Sequence, residues 1–323
     1  MRVGSAAPTI HLLFTGGTIS MQRDPAAGGN VPAHGGDALV SMAPGLERIA
    51  PYRIEDWARM PACHLDQERL WALRERVRAI AASREVGGIV ITHGTDVLEE
   101  TAYLLDRTLD PTVPVAVTGA MRTSSDTAWD GPRNLRDAAA VAASAESAGR
   151  GTLVVFNGAI FAGRMAAKTH ATDVAAFSAP HGEPVGRVGD GRVVYTGPAS
   201  GHPMPLSPAA LTARVALIPA VVGDDGRLLD AARPEHDGLV LEGFGSGNVP
   251  PGLVPAIGRW LEAGKPVVLA SRCLFGQVTP SYAFEGGGAR LVAMGVIPAG
   301  PRTPAQARME LTIALSAGVR FGA

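Results

Sequence analysis

Short runs of branched apolar residues alternate along this chain with segments of helical spacing, and that alternation restricts the fold more than any other feature. IHLLF (10–14), GGIVIT (87–92), VPVAVT (113–118), TLVVFN (152–157) and RVVY (192–195) are the runs of the first part, with helical patterns near Gln67–Ala82, Val97–Asp106 and Pro132–Ser144. Strand and helix in repeated succession build βαβ units, whose parallel sheet is covered by helices on both faces, so that its strands are apolar throughout. The alternation stops at TGPASGHPMPLSPAALTAR (196–214), where Pro, Gly and Ser accumulate. It resumes with VALIPAV (215–221), GLVLEGFG (238–245) and PVVLAS (266–271), and with helices near Gly252–Ala263 and Pro304–Ser316. The expected architecture is α/β: two domains with mainly parallel sheets, a larger one over residues 1–195, a linker over 196–214 and a smaller one over 215–323.

With 323 residues, 46% of them apolar, the chain can fill both cores, and its formal net charge of -1 offers no basic face for a phosphate backbone. Neither a nucleic-acid nor a membrane partner is expected, since no run approaches the roughly 20 apolar residues that span a bilayer. A small neutral or zwitterionic ligand suits such a chain better. Cys63 and Cys273 stand far apart, outside any CxxC pattern, as reduced thiols of a cytosolic protein do; a cytoplasmic location without disulfides is expected. The N-terminal stretch MRVGSAAPTIHLLF has one early arginine and too short an apolar core for a secretory signal, and reads as the first strand.

In open parallel sheets ligands bind beyond the carboxyl ends of the strands, and there the unusual loops fall: FTGGTIS, ITHGTDVLEE, VTGAMRTSSD, GRMAAKTHATD and the GFGSGN turn. The glycines of TGGT suit a tight turn, and without the lysine of a GxxxxGK[ST] loop they do not suit a phosphate. Thr18 places a hydroxyl where backbone N–H groups become available, an arrangement that acyl transfer requires of a nucleophile beside an oxyanion site. In HGTDVLEE, Asp96 reads as the N-cap of a helix and Glu99 as its capping-box partner, and the second oxygen of Asp96 remains available to an ammonium group. Lys168 is a candidate general base, against the ordinary reading of a solvated surface charge. GFGSGN lacks the third glycine of a dinucleotide fingerprint, and the eight histidines have no metal spacing, so no cofactor and no metal are expected.

TGGTI, HGTD, TGAMR, DGPRNL, the lysine of AAKTHATDVAAF and GFGSGN also occur in the order and spacing of one family. On these residues the chain resembles, from end to end, the bacterial-type L-asparaginases and glutaminase-asparaginases. The resemblance implies a catalytic N-terminal α/β domain and activity on the side-chain amide of asparagine or glutamine. It also implies sites formed between subunits, hence a homodimer or homotetramer. Thr18 corresponds to the nucleophile that forms the acyl-enzyme. Thr95, Asp96 and Lys168 correspond to a second catalytic set, with Asp96 also receiving the substrate's α-ammonium group. The Ala120 carbonyl corresponds to the group facing the side-chain amide, and Asn248 to a residue sent across the dimer interface.

Three positions depart from the family. The loop SMQRDPAAGGNVPAHGG has no tyrosine to assist Thr18, and Asn30 sits at about its place; in PSYAFEGG, Ala283 stands where the neighbouring subunit supplies an acid. In PACHLDQE either Ala62 or Cys63 replaces a serine, leaving Cys63 and His64 as the candidates for the substrate carboxylate. Adjacent Cys63 and His64 make a poor nucleophile and base, because chain neighbours seldom point at each other. Two alternatives stay open: a non-catalytic or degenerate amino-acid binder, and a tRNA-dependent amidotransferase subunit. The latter should carry a further domain ahead of a TGGT strand that here begins by about residue 9.

Overall fold

The computed structural model describes residues 9–110, 112–199 and 204–322; residues 1–8 of the expected first strand and 200–203 of the expected linker lie outside them. These residues divide into two compact units, one running to Ala179 and from Glu183 to Pro205, the other taking Pro180–Gly182 and everything from Leu206 onward.

The first unit contains strands β1 (Thr9–Gly16), β2 (Met21–Asp24), β3 (Gly29–Pro32), β4 (Tyr52–Met60), β5 (Val86–Thr92), β6 (Val115–Thr118), β7 (Thr152–Phe156), β8 (Ala159–Ala162), β9 (Ala167–Lys168), β10 (Phe177–Ser178), β11 (Gly186–Gly189) and β12 (Arg192–Tyr195). Its helices are α1 (Gly36–Ser41), α2 (Gln67–Ala81), α3 (Leu98–Thr108) and α4 (Gly131–Ala143). The main sheet runs β12-β11-β8-β7-β6-β5-β1-β4; the five strands from β7 to β4 are parallel, and β8, β11 and β12 pair antiparallel at the other edge.

Both faces of the parallel part are apolar, and the pleat divides them. Leu13, Ile89, Ile91, Val115, Val117, Val154 and Phe156 face α2 and α3 in one core, while Ile10, Leu12, Val90, Ala116, Leu153 and Val155 face α1 and α4 in the other. Helix α2 starts where Asp66 Oδ1 accepts the Arg69 N–H at 2.8 Å, and it buries Leu70, Leu73, Val77 and Ile80 along one stripe. From β1 the chain moves to the edge strand β4 and then returns to β5 on the other side of β1. This reversal makes the carboxyl ends of β1 and β5 a topological switch point, where a crevice opens in sheets of this kind.

The second unit has strands β13 (Val215–Pro219), β14 (Gly238–Gly243), β15 (Val267–Ser271) and β16 (Ile297–Pro298) in one parallel sheet. Helices α5 (Arg227–Ala232), α6 (Val254–Glu262) and α7 (Gly288–Ala293) cover one face around Trp260, and α8 (Pro304–Ser316) covers the other. Helix α8 opens with a reciprocal capping box between Thr303 and Gln306. Among the described residues no helix is long and apolar enough to cross a membrane.

Candidate active site

The two glycines at the end of β1 let three backbones touch. Gly16 and Gly17 have φ of +107° and +82°; a Cβ on Gly17 would lie 2.3 Å from Gly94 Cα, and one on Gly16 would lie 2.5 Å from Met60 O. Gly94 in turn meets Ala62, and Gly119 meets the His93 carbonyl, with Thr95 Cγ2 at 3.4 Å from its added Cβ. Four loops therefore converge where β4, β1, β5 and β6 end: residues 16–18, 60–64, 93–96 and 119–121. Thr15 is buried, and its Oγ1 donates to Thr92 O at 2.8 Å, fastening β1 to β5. Thr18 follows as the first residue of a short 3-10 turn, Thr18–Ser20, and is partly exposed.

Lys168 reaches into these loops from β9. Its Nζ donates to Thr95 Oγ1 and to Asp96 Oδ1, both at 2.9 Å, while its backbone N–H donates to Glu99 Oε2 at 2.7 Å. Thr95 is only 5% exposed, whereas the Asp96 side chain is 65% exposed, which leaves one of its oxygens open to a ligand. Glu99 is pushed up to about 7 by burial, against the opposing N–H of Lys168. Beneath the loop, burial holds fully enclosed His93 down at about 4, so the imidazole is neutral. Its Nδ1 donates to Gly94 O at 2.8 Å, which leaves Nε2 to accept from Thr101 Oγ1 at 3.0 Å.

Asp96 does not cap α3. The N-cap is Val97, without a side-chain bond, because the carboxylates of Asp96 and Glu99 are both turned to Lys168. That contact was invisible in the sequence, where Glu99 has the spacing of a capping partner.

Cys63 and His64 lie exposed on the 3-10 turn Ala62–His64 that follows β4, beside the converging loops. Ala120 is fully buried in the loop after β6. Asn248 belongs to the second unit, where its Oδ1 accepts from Gly288 N–H at 3.3 Å. The loop without a tyrosine folds into the β2–β3 hairpin, with Asn30 exposed opposite Arg23. Ser124 Oγ donates to Met21 O at 3.1 Å and Ser125 Oγ accepts from Arg23 N–H at 3.0 Å, so the hairpin is tied to the loop after β6.

The chain has relatives among known proteins over nearly its whole length. The family description "Asparaginase, N-terminal" matches residues 9–200, and "Glutaminase/Asparaginase C-terminal domain" matches residues 214–321. The chain is 37% identical over 320 residues to a probable L-asparaginase of Deinococcus radiodurans, covering 97% of this chain and 95% of that one. It is 33% identical over 322 residues to L-asparaginase 2 of Escherichia coli, covering 96% and 90%. The crystal structure of a probable cytoplasmic L-asparaginase from Campylobacter jejuni superposes with a TM-score of 0.84 at 30% identity over 95% of each chain. With both halves matched and full-length relatives above 30% identity, the chain belongs to the L-asparaginase family of hydrolases.

Proposed function

We propose that the protein is a cofactor-independent amidohydrolase that releases ammonia from the side-chain amide of L-asparagine, with L-glutamine as the alternative substrate. The observation that carries this reading is Lys168 Nζ held between Thr95 Oγ1 and Asp96 Oδ1, next to the Gly17–Gly94 contact that brings Thr18 to the same strand ends.

In this reading Thr18 Oγ1 attacks the amide carbon, the nitrogen leaves as ammonia after gaining a proton, and water then hydrolyses the ester to free the acid. Thr95, Lys168 and Asp96 move the protons, since Asn30 has no acidic proton to deliver in place of a phenol. The open oxygen of Asp96 takes the substrate's ammonium group, Cys63 and His64 stand at its carboxylate, and the Ala120 carbonyl accepts from the amide –NH2. Asn248 contributes from another copy of the chain, so the working form is a homodimer or homotetramer. The unpaired thiols of Cys63 and Cys273 favour the cytoplasm as its location.

The test is ammonia release from L-asparagine and L-glutamine by the wild type and two variants. Thr18→Ala and Thr95→Ala should each lower turnover by at least about 10³-fold with an unchanged circular-dichroism spectrum. Wild-type turnover in both variants would remove the nucleophile and its partner. Because Ala283 and the tyrosine-free loop depart from the family, calorimetry completes the test: asparagine bound by the wild type without ammonia release would make the chain an amino-acid binder.

A further inference from the structure

The loop after β6 is gripped from one side by a carboxylate. Asp130 Oδ2 accepts from Met121 N–H at 3.0 Å and Oδ1 from Arg122 N–H at 2.9 Å. Asn134, one turn into α4 and only 1% exposed, donates from Nδ2 to Asp130 Oδ2 at 3.2 Å and to Gly119 O at 3.0 Å. Its Oδ1 accepts from Asn157 N–H at 3.1 Å, so its amide orientation is determined by its neighbours. Asp130 occupies the N-cap position of α4 yet makes no side-chain cap to its own helix. The side chain that would ordinarily serve an N-terminus is given to the loop instead.

This grip has a geometric consequence. A trans peptide is planar, with its C=O directed opposite to its N–H, and there are no cis peptides among the described residues. With the Met121 N–H aimed into Asp130, the Ala120 carbonyl of the same peptide is turned away from the start of α4. Gly119, one residue earlier, lies against the His93 carbonyl and the Thr95 side chain, so this peptide belongs to the converging loops.

We infer that Asp130, steadied by Asn134, is a positioning residue that aims the Ala120 carbonyl at the leaving amide nitrogen of the substrate. The inference rests on the reading above, in which that carbonyl accepts from the side-chain –NH2. A carboxylate is needed because two N–H donors from the loop and one from Asn134 converge on it; an asparagine would turn its own –NH2 towards a donor.

The experiment compares L-asparagine with the β-methyl ester of L-aspartate, whose leaving group carries no N–H for the carbonyl to hold. Asp130→Asn should lower kcat/KM for the amide by roughly 10²-fold and for the ester by no more than about threefold. Asn134→Ala, a second variant should the first fail to fold, should show the same selective loss for the amide, but smaller. Equal losses on both substrates, or none on either, would overturn the inference and leave the hydrolase reading intact. A wild type that releases no ammonia from asparagine would sink that reading, and the inference with it.

Discussion

Thr18, Thr95, Asp96 and Lys168 could each be singled out in the sequence because their chemistry is a property of the side chain. Glu99 could not, since its surroundings come from a strand far along the chain. It lies at the start of α3 with the Lys168 N–H on its Oε2, and burial raises it from 4.5 to about 7. A carboxyl raised on folding contributes stability below its unfolded value, and that contribution is lost as pH rises through the folded one. The protein should therefore lose stability between about pH 4.5 and 7 through this group. Glu99→Gln keeps the acceptor for Lys168 N–H but has no charge to bury. The variant should match the wild type at low pH and exceed it at pH 8 by up to about 3 kcal/mol, read as a difference in Tm. A Tm difference independent of pH would refute this account.

Among the elements, those with strong periodicity were legible. The expected helix near Gln67–Ala82 is α2, and the one near Pro132–Ser144 is α4 displaced by one residue. Strand β4, YRIEDWARM, is not legible as an apolar run because Arg53, Glu55, Asp56 and Arg59 interrupt its apolar residues. It is an edge strand, stabilised by its ladder with β1 and by Glu55, which accepts from Arg76 and meets His11. Gly88 in β5 lies against α4, and an added Cβ would sit 2.0 Å from Ala142 O. Backbone cannot yield as a side-chain tip can. Gly88→Ala should therefore cost at least about 2 kcal/mol, lowering Tm, and should disturb the carboxyl-terminal end of α4. An unchanged Tm would mean that α4 shifts freely on the sheet.

At the scale of the whole molecule, each unit has its own sheet, mainly parallel in the first and parallel in the second, covered on both faces. The proposed assembly predicts that the active protein sediments as a dimer or tetramer; a monomer with full turnover would refute it. The α/β class and the glycine-bearing loops at the strand ends were already present in the spacing of apolar residues and glycines, because period and backbone freedom are local properties. Which loops meet was decided only by folding. The strand order that sets β1 between β4 and β5, and the path that returns Lys168 to Thr95 across 73 residues, are long-range pairings that no local pattern encodes. The engagement of Asp96 with the Lys168 ammonium group and of Glu99 with the Lys168 N–H, in place of the capping roles their positions suggest, has the same cause.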